Sequence, residues 1–483
     1  MAIRRLTGGG ALLLLLAAGC GREETGPVAV SAIGAPPQLA NPNLAPLGTP
    51  SAFLLQAAAQ GLVRFDAAGE IEPALAQSWI VSDDGLRYTF RIRRTHWIGG
   101  GRVTAAQVTA RLRAAVSRSS RNPMKAIFGL VASVEPMTDE VLEITLNAPR
   151  PHFLQLLAQP EMALLLDGRG TGPRQAEARP DGSMLLAMPP AEDEEEPETE
   201  APPIVLRGER ASLAVARFLS GGADLVTGGT AGDLPVVRAA RPAAAAVQFD
   251  PVDGLFGLVF QRGEGPFAEA AGRRALSMAV DRDAIAAALA VPGLAGRVGL
   301  LPAGLEEVGQ PALPDWAAAP LVLRRQEAAR TLAELSGGEP LRVRVAMPEG
   351  PGYRLVFAHL RRDWRIVGVE AERVAPGMDA ELRFVDSTAP ALMAAWYLRN
   401  FTCDLVPVCS PEADAALALA RATANVAERR AQLALADALL RDTASFVPIA
   451  SPVRWNLVSA RLTGFRRNPF GRHAPGELIA EER

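Results

Sequence analysis

The sequence predicts a mixed α/β protein built from more than one structural block. Residues 86–92 (LRYTFRI) and 142–146 (LEITL) show the strict apolar/polar alternation of half-buried strands. Over residues 267–441, helical spacing of apolar residues alternates with short strand patterns such as 341–345 (LRVRV). These observations predict an antiparallel α+β block followed by a mixed α/β block.

Length and composition fit several domains and exclude some classes of protein. The chain has 483 residues, is 49% hydrophobic and 21% charged, and carries a net charge of −3. At ~100–200 residues per domain, that length allows roughly two to four domains. No basic domain stands out, so we expect no nucleic-acid partner. With four His and three Cys in total, we expect no metal site and no cofactor.

The N-terminus has the pattern of an export signal. Arg4 and Arg5 precede a short apolar run, and residues 1–20 are predicted to be a lipoprotein signal peptide. Cys20 directly follows AAG, which resembles a bacterial lipobox and predicts lipidation of this cysteine; the alternative is a plain export signal with an incidental Cys. Residues 21–50 begin as a polar tether. We therefore expect a periplasmic protein that is lipid-anchored to an envelope membrane.

Local signals place several elements of the first block. Residues 53–66 predict a helix that runs into a short strand. Asp84 and Gly85 predict a hairpin turn before the first alternating strand, and Thr104 is suited to cap the helix that follows. Residues 189–203 (PPAEDEEEPETEAPP) are acidic and flanked by proline, which predicts a solvated loop; a tail for a basic partner or a cation is the alternative.

The second block shows further helices and strands. Asp281 or Asp283 is expected to cap a helix. Residues 353–367 have amphipathic spacing, residues 382–386 (LRFVD) alternate as a strand, and residues 411–441 are predicted to be largely helical.

Two cysteines of the second block lie close together in the segment CDLVPVC. In an exported protein, Cys403 and Cys409 can form a disulfide. The small ring predicts stabilisation at the lower end of ~2–4 kcal/mol. No GxSxG, HExxH or Walker A motif occurs in the chain, so the sequence does not support an enzyme.

The order of motifs resembles the bacterial extracellular solute-binding proteins of family 5, the oligopeptide-, dipeptide- and nickel-binding components of ABC importers. The segments that carry the resemblance are, in chain order, GLVRFDAAGEIEPALAQSWIVSDDGLRYTFRIR (61–93), WIGGGRVTAAQV (97–108), GTGP (170–173), FLSGGADLVTG (218–228), RRALSMAVDRDAI (273–285) and the closing stretch from RAQLALADALLRDTASFVPIA to LTGFRRNPF (430–470).

This resemblance implies a two-lobed periplasmic binding protein of type II with an inserted subdomain. The implied segments are the start of lobe 1 within 21–50, an inserted α+β subdomain over 51–160, lobe 1 continued over 161–256, lobe 2 over 257–440, and a return to lobe 1 over 441–483.

The resemblance also implies a function. The chain would be the monomeric substrate-binding component of an ABC importer that captures peptides or similar small solutes between its lobes. It would deliver them to a complex of permease and ATPase. Because function depends on the site and not on the fold, a non-transport envelope lipoprotein (chaperone, sensor or interaction module) remains the main alternative, and a binder of nickel or haem is a further one.

The resemblance directs attention to the strand LRFVD and the segment after it. Asp386, at the end of that strand, is the candidate partner for a peptide's amino terminus, since a buried carboxylate needs a charged partner. The remaining predicted ligand-binding residues are Trp396, Tyr397, Arg399 and Asn400. The alternatives are a helix cap by Asp386 or Ser387 and core packing of the aromatics. We expect Asp386→Ala to abolish peptide binding with little loss of fold.

Overall fold

The structure is a computed structural model. It describes residues 26–125, 128–189 and 201–479. The predicted signal peptide with its lipidation site Cys20 lies outside the described residues, and so does most of the predicted acidic loop.

Within the described residues the chain forms eighteen strands and twelve α-helices. The strands are β1 (Val28–Ile33), β2 (Val63–Phe65), β3 (Ile71–Pro73), β4 (Ala76–Val81), β5 (Arg87–Ile92), β6 (Val131–Pro136), β7 (Val141–Leu146), β8 (Gln175–Ala178), β9 (Met184–Ala187), β10 (Ile204–Glu209), β11 (Leu225–Thr230), β12 (Val247–Phe249), β13 (Gly254–Phe260), β14 (Leu341–Ala346), β15 (Val369–Val374), β16 (Leu382–Thr388), β17 (Phe446–Pro448) and β18 (Arg454–Val458). The helices are α1 (Thr49–Ala58), α2 (Ala105–Val116), α3 (Phe153–Leu157), α4 (Ala211–Leu219), α5 (Leu234–Ala240), α6 (Ala270–Ala279), α7 (Arg282–Leu289), α8 (Leu321–Ser336), α9 (Pro351–Ile366), α10 (Ala394–Arg399), α11 (Pro411–Ala422) and α12 (Val426–Thr443).

Lobe 1 is built on a seven-stranded sheet with the order β12-β18-β11-β1-β10-β9-β8. Strand β1 lies parallel to β10 and β11, and β18 is antiparallel to β11. The sheet therefore combines strands from the beginning, the middle and the end of the chain. These parts are also tied together by side chains, since Arg461 Nη1 donates a hydrogen bond to the carbonyl oxygen of Pro27 over 3.1 Å.

The inserted subdomain contains a four-stranded antiparallel sheet, β4-β5-β7-β6, and the two-stranded sheet β2-β3. The predicted hairpin is confirmed: β4 pairs with β5, and Gly85 in the turn has a φ of +66°, a conformation that glycine adopts without steric cost. The predicted cap is also confirmed, because Thr104 and Gln107 form a reciprocal capping box at the start of α2.

Lobe 2 is built on a five-stranded sheet with the order β15-β14-β16-β13-β17. Asp281 caps α7, with its Oδ1 accepting a hydrogen bond from the backbone N–H of Ala284 over 3.0 Å. The amphipathic helix predicted over 353–367 is α9, and its residues Val356 and Leu360 are fully buried. The predicted strand over 382–386 is β16.

Two chain crossings join the lobes, one over 250–253 between β12 and β13 and the other over 449–453 between β17 and β18. They are linked through Asp253, whose Oδ1 accepts hydrogen bonds from Arg297 Nη1 (2.7 Å) and from Ser451 Oγ (3.4 Å). A bending motion between the lobes would use these crossings as its hinge. The segment boundaries predicted from the sequence stay a prediction.

The apolar core is continuous between the units. One cluster includes Phe90 of the inserted subdomain and Phe401 of lobe 2. A second cluster includes Val226 of lobe 1 and Phe256 of lobe 2. Lobe 2 therefore packs against both the subdomain and lobe 1.

Candidate functional site

Asp386 lies at the boundary between the two lobes. It belongs to β16, where it pairs with Phe256 of β13 in the antiparallel ladder. Phe384, two positions earlier and on the same face of the strand, makes an edge contact with the Tyr353 ring at a centroid distance of 5.6 Å. The Asp386 side chain is only 4% exposed, so its charge depends on partners within the protein.

The Asp386 carboxylate accepts two hydrogen bonds, and both donors come from other elements. Tyr353 Oη, at the start of α9 in lobe 2, donates to Asp386 Oδ2 over 2.7 Å. Arg454 Nη1, on β18 in lobe 1, donates to Asp386 Oδ1 over 2.8 Å. Burial and the charge of Asp386 raise the pKa of the Tyr353 hydroxyl above its usual range, so this hydroxyl stays protonated and donates. The carboxylate therefore binds one group from each lobe.

The lobe 1 surface opposite Tyr353 is made of small residues. A Cβ on Gly232 would lie 2.4 Å from Tyr353 Cε2, and a Cβ on Gly352 would lie 1.9 Å from the carbonyl oxygen of Ala231. Real Cβ atoms are not found at such distances, so only glycine permits this approach of the lobes.

Beside these glycines, lobe 1 holds a second carboxyl group, the partly buried Asp233. Thr230 Oγ1 donates to Asp233 Oδ2 over 3.0 Å. Burial raises the pKa of Asp233; the hydrogen bond from Thr230 opposes this shift, and the nearby charge of Asp386 adds to it. Two acidic groups thus face each other across the lobe boundary, with Arg454 as the cation bound to Asp386.

The other predicted ligand residues lie elsewhere, on α10 and directly after it. Tyr397 is fully buried, and burial together with the charge of Asp253 raises the pKa of its hydroxyl. Asn400 Nδ2 donates to the carbonyl oxygen of Trp396 over 2.7 Å. Trp396 and Arg399 both line a cavity between the subdomain and lobe 2. Among the described residues, no hydrogen bond or ion pair joins these four residues to Asp386, whose partners are Tyr353 and Arg454. Their role in ligand binding stays a prediction.

Sequence reasoning missed both partners of Asp386. Tyr353 and Arg454 lie 33 and 68 residues away from it in the chain. In the sequence Tyr353 is one position of an amphipathic helix, and Arg454 is one arginine among many. The alternative reading of Asp386 as a helix cap is wrong, since α10 begins at Ala394, well beyond β16.

The largest cavity described, with a volume of about 680 Å³, lies within lobe 2. It is bordered by α6, α8, the end of α12 and the loop before α8, and the Arg274–Asp315 ion pair lies in its wall. None of the lobe 1 residues that the structure describes lines it.

The two cysteines of the second block lie next to each other in the structure. The Cys403 and Cys409 sulfurs are at bonding distance, with Cα atoms 5.1 Å apart. Among the described residues, no group of three or more His, Cys, Asp and Glu side chains is arranged to hold a metal ion. In the same part of the chain, no helix combines the length and apolar character needed to cross a membrane.

Comparison with known proteins gives a family for one segment and a fold for nearly the whole chain. Residues 70–203 match the model described as bacterial extracellular solute-binding proteins, family 5 Middle. The glutathione-binding protein GsiB of Salmonella choleraesuis is 32% identical over 107 residues. That match spans 22% of this chain and only 21% of the length of GsiB.

Solved structures match over a much longer range. Haemophilus influenzae OppA in complex with the peptide RPPGFSPFR superposes with a TM-score of 0.80 at 18% identity, covering 93% of this chain and 98% of the other. The Escherichia coli murein tripeptide binding protein MppA gives the same TM-score and identity, covering 93% and 97%. These matches confirm the two-lobed type II binding-protein fold. Over residues 70–203 the chain is therefore similar to the bacterial extracellular solute-binding proteins of family 5, and over nearly its whole length it has the fold of such binding proteins.

Proposed function

We propose that this chain is the substrate-binding component of an ABC importer and captures a peptide or similar small solute with a cationic group between its lobes. The observation that carries the proposal is the buried carboxylate of Asp386, whose only cationic partner among the described residues, Arg454, belongs to the opposite lobe. An amino terminus of a solute can make the same charge-assisted hydrogen bond.

The two lobes would adopt an open and a closed arrangement. When the crossings over 250–253 and 449–453 bend, Asp386 moves with lobe 2 and Arg454 with lobe 1, so the ion pair separates. The carboxylate keeps its bond from Tyr353 and exposes one oxygen to a solute. Closure on the solute then places a cation where Arg454 lies in the structure described here. Arg454 acts as an internal substitute for the solute in the unliganded protein.

Similar proteins support the class of solute. The relatives and structures compared above are described as binding glutathione, a murein tripeptide or the peptide RPPGFSPFR. Each of these is a peptide or peptide-like molecule. We therefore propose a solute with a free amino group and a peptide backbone, without a cofactor and without catalysis.

The test is isothermal titration of the purified protein with short peptides and with the same peptides acetylated at the amino terminus. We expect binding of the free peptides and at least a tenfold loss on acetylation, about 1.4 kcal/mol. Asp386→Asn should remove the difference between the two forms. Asp379→Asn, a change of the same kind on the exposed surface of lobe 2, is the matched control and should leave it intact.

A different result would favour a different function. If native mass spectrometry of the gently purified protein finds no bound solute and no peptide binds, the internal pairing of Asp386 with Arg454 is permanent. The chain would then be a non-transport envelope lipoprotein that kept the fold.

We further propose that the protein is a periplasmic monomer, anchored to the envelope membrane through a lipid on Cys20, and that it delivers its solute to a permease and ATPase complex. Cys20→Ser should release the exported protein into the soluble periplasmic fraction. Recovery of the variant with the membrane fraction would contradict the anchor.

A further inference from the structure

A small cavity of about 50 Å³ lies where the inserted subdomain meets lobe 2. Its apolar wall comes from both units: Leu130 from the subdomain, and Met393, Ala395, Trp396, Leu417, Ala420 and Leu433 from α10, α11, α12 and the residue before α10. This cavity is separate from the boundary at Asp386.

Four arginines also line this cavity: Arg150 from the subdomain, and Arg399, Arg421 and Arg429 from lobe 2. Glu307 is the one carboxylate among the described residues that line it. Its Oε2 already accepts a hydrogen bond from the backbone N–H of Ala394 over 2.8 Å, and no ion pair joins it to an arginine within the described ranges. The cavity wall therefore carries an excess of positive charge.

The electrostatics of Arg150 reflect this excess. Arg150 is only 7% exposed, and burial, together with the charges of Arg429 and Arg421 and against the opposing charge of Glu307, lowers its pKa to about 10. Arg150 is still charged at neutral pH. Burial also lowers the pKa of Arg399; the charge of Arg421 adds to this shift, and the charge of Asp404 opposes it. Arg421 is exposed and Arg399 is partly buried, but Arg150 and Arg429 are both buried. Two like charges held together out of water raise the free energy of the folded protein unless an anion joins them.

The same cavity has unused hydrogen-bond donors. The Nε atoms of Arg399 and Arg429 are buried and make no hydrogen bond to any described residue. Arg429 is only 7% exposed, so its donor cannot readily be satisfied by bulk water. Buried donors normally have hydrogen-bond partners. An acceptor bound in the cavity would give the Nε atoms of both arginines such a partner.

We propose that this junction cavity binds a small monocarboxylate anion with a short apolar tail. The planar guanidinium group matches a carboxylate better than a spherical ion, and the Leu, Met and Trp lining suits an alkyl tail. Since one water needs ~10–15 Å³ of such space, the cavity takes a molecule of only a few heavy atoms. Held by Arg150 on one side and by Arg399 and Arg429 on the other, the anion links the subdomain to lobe 2. The inference does not depend on solute capture at Asp386.

The test compares anions of different shape at constant ionic strength. Thermal unfolding and Trp fluorescence of the purified protein are followed while butyrate, butyramide, phosphate or chloride is added. We expect butyrate to raise the unfolding temperature and to change the fluorescence, with Trp396→Phe removing the fluorescence change. Butyramide should have no effect. An equal effect of chloride or phosphate would overturn the assignment to carboxylates.

Charge-neutralising variants decide whether the arginines hold the anion. Arg429→Gln should weaken butyrate binding about tenfold or more, the size of one lost charge-assisted hydrogen bond. Arg430→Gln is the matched control, because Arg430 is the next residue of the same helix, is exposed and lies outside the cavity. If Arg429→Gln does not fold, Arg399→Gln takes its place. Unchanged butyrate affinity in a folded cavity variant would refute the proposal.

Discussion

Asp386 in lobe 2 and Arg454 in lobe 1 are joined by an ion pair of 2.8 Å, and the Asp386 carboxylate is almost completely buried in it. The pair connects β16 to β18, the first strand of lobe 1 after the second crossing. The same carboxylate therefore contributes to the stability of the protein and holds the two lobes together. This relationship predicts that replacing Asp386 lowers stability, whereas the sequence alone predicted little loss of fold; both stay predictions.

Asp386→Asn should lower the free energy of unfolding by about 3 kcal/mol, the low end for breaking a buried pair. The low end applies because Arg454 is 19% exposed, so water can solvate part of its charge. Urea unfolding measures the loss. Arg454→Gln combined with Asp386→Asn should cost less than the sum of the single changes; full additivity would mean that the two residues do not interact.

Gly232→Ala should disturb the contact between the lobes. The added methyl group would overlap the Tyr353 ring, and overpacking of this kind costs about 1–3 kcal/mol. We expect a lower unfolding temperature and a larger radius of gyration by small-angle scattering. Gly101→Ala is the control, since a Cβ there meets no atom within 4 Å. An unchanged radius and stability would show that the lobes do not rest on each other at Tyr353.

The buried carboxyl group of Asp437 leads us to expect an unusual pH dependence of the free energy of unfolding. Burial raises its pKa from 3.8 to about 6, against the opposing effects of a hydrogen bond from the Ala312 N–H and of Arg441. Between pH 4 and 6 the folded protein thus binds more protons than the unfolded chain, so this group lowers stability as the pH rises through that window. The cost amounts to about 3 kcal/mol above pH 6.

Asp437→Asn isolates this contribution, because the amide oxygen can still accept from Ala312. The stability of the variant relative to the native protein should increase by about 3 kcal/mol between pH 4 and pH 7, measured by urea unfolding at each pH. Asp379→Asn should show no such gain. A difference that is constant with pH would mean that Asp437 is not protonated in the folded protein.

The disulfide gives a fourth prediction. Replacing both Cys403 and Cys409 by Ser should cost about 2 kcal/mol, because the ring they close is small. Dithiothreitol should destabilise the native protein by a similar amount and leave the double variant unaffected. A native protein that is insensitive to the reductant under unfolding conditions would show that the two thiols are not joined.

Local patterns predicted much of the fold. The Asp84-Gly85 turn and the Thr104 cap depend on residues within a few positions of each other, and both are present. Strand β13 (GLFGLVF) was missed because it is buried along its whole length and so has no alternation to detect. The cap assigned to Asp386 failed because β16 continues through Thr388, and Pro390 disfavours helical backbone in the residue before it.

The candidate site was only partly predictable. The motif resemblance drew attention to Asp386, but its partners depend on how α9 and β18 pack in space. The junction cavity could not be predicted from the sequence for the same reason. Arg150 lies in the subdomain and Arg429 in lobe 2, and no spacing pattern in the chain indicates that they line one cavity.

The bond between Arg461 and the Pro27 carbonyl has a practical consequence for measurement. Both the first and the last described segments are fixed to lobe 1, so a dye or fusion partner at either place reports on the same rigid body. Such a pair of labels would give a constant distance whether the protein is open or closed. A probe of opening needs its second label on lobe 2, for example on the exposed face of α8 or α12, with the first at the described start of lobe 1.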